Sequence, residues 1–266
     1  MKYTFYGVCG SHPSCSSLPN INHTACVGIE TADFILIFDA GSGIINLAND
    51  LTHSNKPIFI VFSHFHYDHI IGLPYFAPLY DPNKRVTFIY PNPKKIKSLF
   101  PKIFDPHFFP IPFDQLPKPL EVADCSFGDQ YGFSLTPYQL NHPGGCYGYR
   151  FSYQNKDLIY ATDNQLTRDN ISIFANLFQK CDVLIHDCYF FDETQTELKT
   201  WGHTFLPDLL TLSHQANIKE LCLFHFKPDI EQPYINKMKH FIDTESTKAN
   251  HSFICRFPYD GLSLEL

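Results

Sequence analysis

The chain has 266 residues, 44% hydrophobic and 18% charged, so disorder is excluded as its main state and a sizeable core can form. Twenty basic residues stand against 27 acidic ones, a net charge of −7, which argues against the broad cationic face that duplex DNA demands. No window of about 18 residues is apolar throughout, and Met1–Gly7 lacks the apolar stretch of a signal peptide, so no membrane partner is expected. Nine cysteines are scattered along the chain, several inside apolar runs, which fits buried free thiols in a reducing, cytoplasmic setting. Cys9 and Cys15 are close enough to form a redox or metal pair; the plainer reading is two unconnected thiols.

Strand patterns run over 4–9, 26–31 and 34–39, the last two flanking the short turn Thr31-Ala32-Asp33 as a hairpin would. A helix is expected near 43–50. Ile58–Phe62 is wholly apolar, as in a strand buried on both faces. Helices are expected near 69–78 and 94–100, with a strand at 85–90 between them. Prolines 101, 106, 110, 112, 117 and 119 make 101–120 read as an ordered, aromatic-rich loop with little regular structure. Phe108, Phe109 and Phe113 within it are candidates to stack on a base, or simply to pack. Strands follow at 133–139, 147–153, 157–161, 182–186, 220–225 and 252–257, with helices near 169–179, 206–216 and 231–243. Mixed elements without a clear linker suggest one α/β domain over 1–266.

The sharpest feature is Ser63-His64-Phe65-His66-Tyr67-Asp68-His69, directly after the strand at 58–62. Imidazole nitrogens and a carboxylate oxygen form a donor set suited to zinc and similar ions. Alternate residues of an extended segment share a face, so His64 and His66 can grip one ion. Where the chain turns into a helix, Asp68 and His69 can face a second. Further donors end apolar runs: His142 after Leu140, Asp163 after Leu158–Thr162, and His225 after Leu221–Phe224.

His64-x-His66-x-Asp68-His69 followed by His142, Asp163 and His225 in that order resembles the metallo-β-lactamase superfamily. Asp39 in Phe38-Asp39-Ala40-Gly41 matches its early Asp-containing turn. The resemblance implies an αββα sandwich with two divalent metals, zinc or alternatively manganese or iron, at one edge. His64, His66 and His142 would hold one ion and Asp68, His69 and His225 the other, with Asp163 bridging. Asp68 could also orient the attacking water, and Asp39 would fix a ligand from behind. A homodimer is implied by the resemblance alone.

Three details narrow the reaction. Asp163 stands where the antibiotic-hydrolysing zinc enzymes use a Cys, and the set with Asp68 departs from the flavodiiron pattern. Trp201-Gly202-His203-Thr204, with His203 22 residues ahead of His225, resembles the motif of phosphodiesterase members including ribonuclease Z. There the His touches phosphate and assists the leaving group, so His203 would be a substrate-binding general acid. The bland alternative is a helix entry capped by Thr204. His142 and Asp163 are 21 residues apart, which leaves no room for the long tRNA-binding arm of ribonuclease Z.

Gly7-x-x-Gly10-Ser11-x-Pro13, His142-Pro143-Gly144-Gly145 and Leu184-Ile185-His186-Asp187 resemble an arm-less bacterial branch of phosphodiesterases. The branch usually has Gly-Gly-Asn-Thr-Ser-Cys where this chain has Ile21-Asn22-His23-Thr24-Ala25-Cys26. Gly144 and Gly145 would let backbone approach a phosphate. His12, His23, His186 and Asp187 are possible pocket or supporting residues. The resulting expectation is a dinuclear-metal phosphodiesterase that cleaves a small substrate, a cyclic nucleotide above all, with a hydroxide shared by the metals, and that does not engage long nucleic acid. A thioester or other acyl hydrolase of glyoxalase II type, or a metal-loaded protein that binds a nucleotide without cleaving it, are the alternatives.

Overall fold

The computed structural model describes residues 1–14, 18, 20–117, 120–191, 201–249 and 253–266. Thirteen strands among these residues form two sheets. The first has the order β13 (Ser263–Glu265), β1 (Lys2–Gly7), β2 (Cys26–Glu30), β3 (Ile35–Phe38), β4 (Ile58–Val61), β5 (Val86–Ile89), β6 (Glu121–Ala123). The second has the order β12 (Ile254–Arg256), β11 (Glu220–Phe224), β10 (Val183–Asp187), β9 (Lys156–Ala161), β8 (Cys146–Tyr153), β7 (Phe133–Leu140). Pairing is parallel from β3 to β6 and from β9 to β12, and antiparallel elsewhere.

The alternation of side chains builds an αββα sandwich. Leu36, Phe38, Phe59 and Val61 point into the core shared by the two sheets, while Ile35, Ile37, Ile58 and Ile60 point into a second cluster. That second cluster is closed by α1 (Ile44–Asp50) and α3 (Pro93–Ile103) through Ile44, Leu47, Ile96 and Phe100. Helices α4 (Ile171–Phe178), α5 (Leu206–Gln215) and α6 (Gln232–Ala249) bury Phe174, Phe178, Leu206, Leu209 and Met238 on the second sheet. The sheets are tied across the core where Tyr160 stacks on Phe38 at 4.8 Å and 9°.

The parallel strands β3, β4, β9, β10 and β11 all end at one edge of the sandwich, the place where open α/β sheets present ligand sites. The hairpin expected at 26–31 and 34–39 is β2–β3, and β4 is buried on both faces as its composition demanded. The helix expected over 69–78 is instead the short α2 (Tyr67–Ile70) followed by 3₁₀ turns at Leu73–Tyr75 and Ala77–Leu79. Pro74 and Pro78 deny the backbone donors that a continuous helix needs. The loop expected from 101 onward begins inside α3, whose last turn tolerates Pro101. Phe109 packs on Tyr75 and Phe104, and Phe113 on Phe100 and Phe104, so these two are occupied by packing, whereas Phe108 is 82% exposed. Eight cysteines of the described residues are free thiols, and Cys15 lies outside the described residues. Among the described residues no helix is long and apolar enough to cross a membrane.

Candidate metal centre

Every proposed ligand follows the C-terminal end of a strand. His64 and His66 lie in the turn after β4, and Asp68 and His69 in α2; His142 follows β7, Asp163 follows β9, and His225 follows β11. Asp39, Asp163 and His225 adopt left-handed backbone at φ +60°, +55° and +56°. Non-glycine residues pay about 1 kcal/mol or more for this, and such strain collects where side chains must be aimed.

The donor atoms converge in two groups. In the first, Asp163 Oδ2 lies 3.5 Å from His64 Nε2 and 3.5 Å from His142 Nε2, and His142 Nε2 lies 3.1 Å from His66 Nδ1. In the second, Asp163 Oδ1 lies 3.5 Å from His69 Nε2 and 3.2 Å from His225 Nε2. Asp68 Oδ2 joins it 3.0 Å from His225 Nε2 and 3.4 Å from His69 Nε2, and the two Nε2 atoms are 3.3 Å apart. Ligands about 2.0–2.1 Å from a tetrahedral ion stand about 3.3 Å from each other, so the donor spacing fits ions of zinc size. The two oxygens of one carboxylate, Asp163, face the two groups.

The surrounding hydrogen bonds set the tautomers that a cation needs. Asp39 accepts from Ser63 N (2.7 Å), Ser63 Oγ (2.7 Å), Tyr160 Oη (2.8 Å) and His69 Nδ1 (2.8 Å). When the ring is neutral, as it must be to bind a cation, His69 Nε2 is therefore the nitrogen with the lone pair. Because Ser63 gives its only hydroxyl proton to Asp39, it accepts from His64 Nδ1 at 3.0 Å, which bares His64 Nε2. That nitrogen is buried and has no hydrogen-bond partner, as a lone pair reserved for a metal would be. His142 Nδ1 donates to Gly202 O at 3.0 Å, again leaving Nε2. Burial keeps His64, His66 and His142 below the usual imidazole pKa, hence neutral. Burial opposes charge on His69 and on Asp163, yet Asp68, Asp163 and Asp39 hold the His69 pKa well up, and His225 and His69 hold that of Asp163 well down. A centre where three carboxylates meet is electrostatically suited to cations.

His203 stands beside this cluster, with a ring nitrogen within 4.8 Å of donor atoms of Asp163 and His225. Asp187 Oδ2 accepts from His203 Nδ1 at 3.2 Å and from Thr204 N at 3.0 Å. Despite the opposing effect of burial, Asp187 and the metal-site carboxylates raise the His203 pKa. Thr204 is not a helix cap; Phe205 holds that position, and the Thr204 hydroxyl ties the Asp163 turn by donating to Asn164 O and accepting from Leu166 N at 3.1 Å.

Gly144 and Gly145 form the turn after His142 at φ +82° and +84°, and Gly145 N already donates to His142 O at 3.1 Å. A Cβ on Gly144 would lie 3.5 Å from His66 Nε2, so its backbone borders the first group. His186 is buried and bonds Asp187 O and Asn164, while His23 bonds Ser42 and exposed His12 bonds Pro13 O. None of these three joins the donor groups.

Two contacts were not anticipated. Ser11 N donates to Asp68 Oδ2 at 2.7 Å. Gly10 lies so close to His225 that a Cβ there would come within 2.4 Å of the imidazole. The Gly10-Ser11 pair of the opening motif was the only sequence signal for either.

Two sheets packed face to face, with a His–Asp cluster at the C-terminal strand edge, define a metallo-β-lactamase fold protein. Residues 35–226 match the family described as Beta-lactamase superfamily domain, and the chain belongs to it. It is 24% identical to ribonuclease Z of Picrophilus torridus over 281 positions, covering 85% of each chain. It is 25% identical to the probable metallo-hydrolase YhfI of Bacillus subtilis over 232 positions, covering 85% of this chain and 86% of that one. The crystal structure of YhfI superposes with a TM-score of 0.74 at 17% identity over 99% of both chains. A diphosphatase of the PhnP family superposes with a TM-score of 0.71 at 20% identity, covering 100% of this chain and 97% of that one.

Proposed function

We propose that the chain is a metal-dependent hydrolase of small phosphodiesters, with a cyclic nucleotide as the preferred substrate. The observation that carries this reading is the placement of the Asp163 carboxylate, one oxygen toward His64 and His142 and the other toward His69 and His225. His64, His66, His142 and Asp163 would hold one divalent ion, and Asp68, His69, His225 and Asp163 a second. Ions held there would supply Lewis acidity, lowering the pKa of a water and offsetting charge on phosphoryl oxygens.

The rest falls to the protein's own side chains. Asp68, fixed by Ser11 N, orients the attacking water. As the new P–O bond forms and the bond to the sugar oxygen breaks, His203 gives its proton to that oxygen. Its Nδ1–H is held by Asp187, so Nε2 is the nitrogen that faces the leaving group. The Gly144 turn lets backbone approach the phosphate beside His66.

Two observations favour a compact substrate. The stretch from His142 to Asp163 is taken up by the tight β8–β9 hairpin. For the same 85% share of this chain, the ribonuclease Z alignment runs to 281 positions and the YhfI alignment to 232, so the ribonuclease carries the longer insertions. An open groove of about 410 Å³ next to the motif, lined by Phe65, Tyr67, Tyr75, Phe108 and Lys102, is available to a planar base.

The test is chromatography of products from metal-loaded protein and a panel of 2′,3′- and 3′,5′-cyclic mononucleotides, with and without chelator. Chelator-sensitive conversion to linear monophosphates is expected. Intact nucleotides beside hydrolysed thioesters would overturn the reading.

A further inference from the structure

We infer that Tyr189 is a positioning residue for His203, an inference that rests on the phosphodiesterase reading. A single hydrogen bond from His203 Nδ1 to Asp187 fixes one edge of the imidazole but leaves the ring free to swing about that bond. The rings of His225 and His142 stand 5.0 and 5.4 Å from it, and the nearest and most nearly parallel restraint on the swing is the Tyr189 ring. It lies face to face with His203, centroids 4.6 Å apart and planes 13° apart, while Asp187 holds the edge.

The backbone gives Tyr189 one place to stand. On one side Cys188 N donates to Phe224 O at 2.8 Å. On the other, Phe190 N donates to Thr204 O at 3.3 Å, and Leu206 N to Phe190 O at 2.9 Å. The hydroxyl is pinned 3.1 Å from Ser11 Oγ, on the same residue whose N–H holds Asp68. Tyr189 also lies 6.0 Å from the His225 ring. One buried aromatic therefore joins the proton donor to the residues that aim Asp68. Offset-parallel rings at this spacing are mutually attractive, so the contact is a restraint as well as a filler of space. Because proton donation depends on the aim of Nε2, loss of the ring face should cost proton transfer specifically.

The experiment compares wild type, Tyr189→Leu and Tyr189→Phe on two substrates, with metal content measured for each protein. In bis-p-nitrophenyl phosphate the leaving phenolate departs unprotonated. In a cyclic nucleotide the leaving sugar oxygen needs a proton. Tyr189→Leu is expected to lower kcat on the cyclic nucleotide about tenfold or more with little change in KM, and to stay within about twofold on bis-p-nitrophenyl phosphate. Tyr189→Phe keeps the ring and is expected to lose less than about threefold on either. Adding His203→Ala to Tyr189→Leu should cost far less than His203→Ala alone. Equal losses on both substrates, or no loss at all, would overturn the inference while leaving the phosphodiesterase reading intact. Failure of wild type on both substrates, with metals bound, would overturn that reading and this inference with it.

Discussion

Asp39→Asn is the most informative single substitution outside the donor groups. Asp39 is fully buried and its carboxylate accepts four hydrogen bonds, three of them at Oδ2. Asn keeps the shape and tolerates the left-handed backbone, so the change removes charge and one acceptor and little else. If the amide nitrogen replaces Oδ1, it meets the Ser63 backbone N–H donor to donor. If it replaces Oδ2, it meets His69 Nδ1–H, and relief requires the other His69 tautomer, with the proton on the nitrogen that would bind metal. Either way a buried donor loses its acceptor, at an expected cost of about 2–4 kcal/mol in stability of the metal-free protein. Loss of a carboxylate behind a ligating His costs about 10–100-fold in metal affinity, or about 1.4–2.7 kcal/mol. Titration with zinc against a chromophoric chelator reads the affinity, and urea denaturation of the metal-free protein reads the stability. Affinity within about twofold of wild type at unchanged stability would refute the reasoning.

Further outcomes follow from the same contacts. Gly10→Ala should displace the His225 ring, since the new methyl would sit 2.4 Å from it; elemental analysis should show one ion lost per chain, and full occupancy would show that the loop yields instead. His203→Ala should lower kcat on a cyclic nucleotide by about 10²–10⁴ with metal content unchanged. Burial alone would lower the His203 pKa, but Asp187 helps raise it, so the proton donor survives to higher pH and activity falls only as pH rises through that value. Asp187→Asn should therefore move the basic limb of the kcat profile toward acid, and an unmoved limb would remove His203 from proton transfer. Trp201 is the only Trp, is 49% exposed and lies 6.5 Å from Tyr189, so seating of a nucleotide's phosphate beside His203 should change its fluorescence; an unchanged spectrum at saturation would place the phosphate elsewhere.

The donor groups were legible because they are local or ordered. His64 to His69 fall within one turn, and His142, Asp163 and His225 each punctuate an apolar run in the expected sequence. What escaped is made by contacts between distant segments. Ser11 meets Asp68 and Tyr189, and Gly10 meets His225, across separations that no periodicity records. Tyr189 carries no motif of its own; its part emerges only once the 188–190 stretch beyond β10 lies beside the 204–206 stretch. The edge strands β6 and β13 are three residues long and half exposed, too short to display an alternation. The helix expected over 69–78 overlooked Pro74 and Pro78, which withhold backbone donors and leave a short helix and 3₁₀ turns. Asp39 was placed behind a ligand from the resemblance, and its four donors supply the physical reason.

The central claim is that one carboxylate, Asp163, joins two metal sites. Native mass spectrometry of the zinc-loaded chain beside its Asp163→Ala variant tests it directly. The account predicts two ions per wild-type chain and weakened binding of both in the variant, because each Asp163 oxygen faces a different group. A wild-type chain that saturates at one ion, or a variant that keeps both at wild-type affinity, would contradict it.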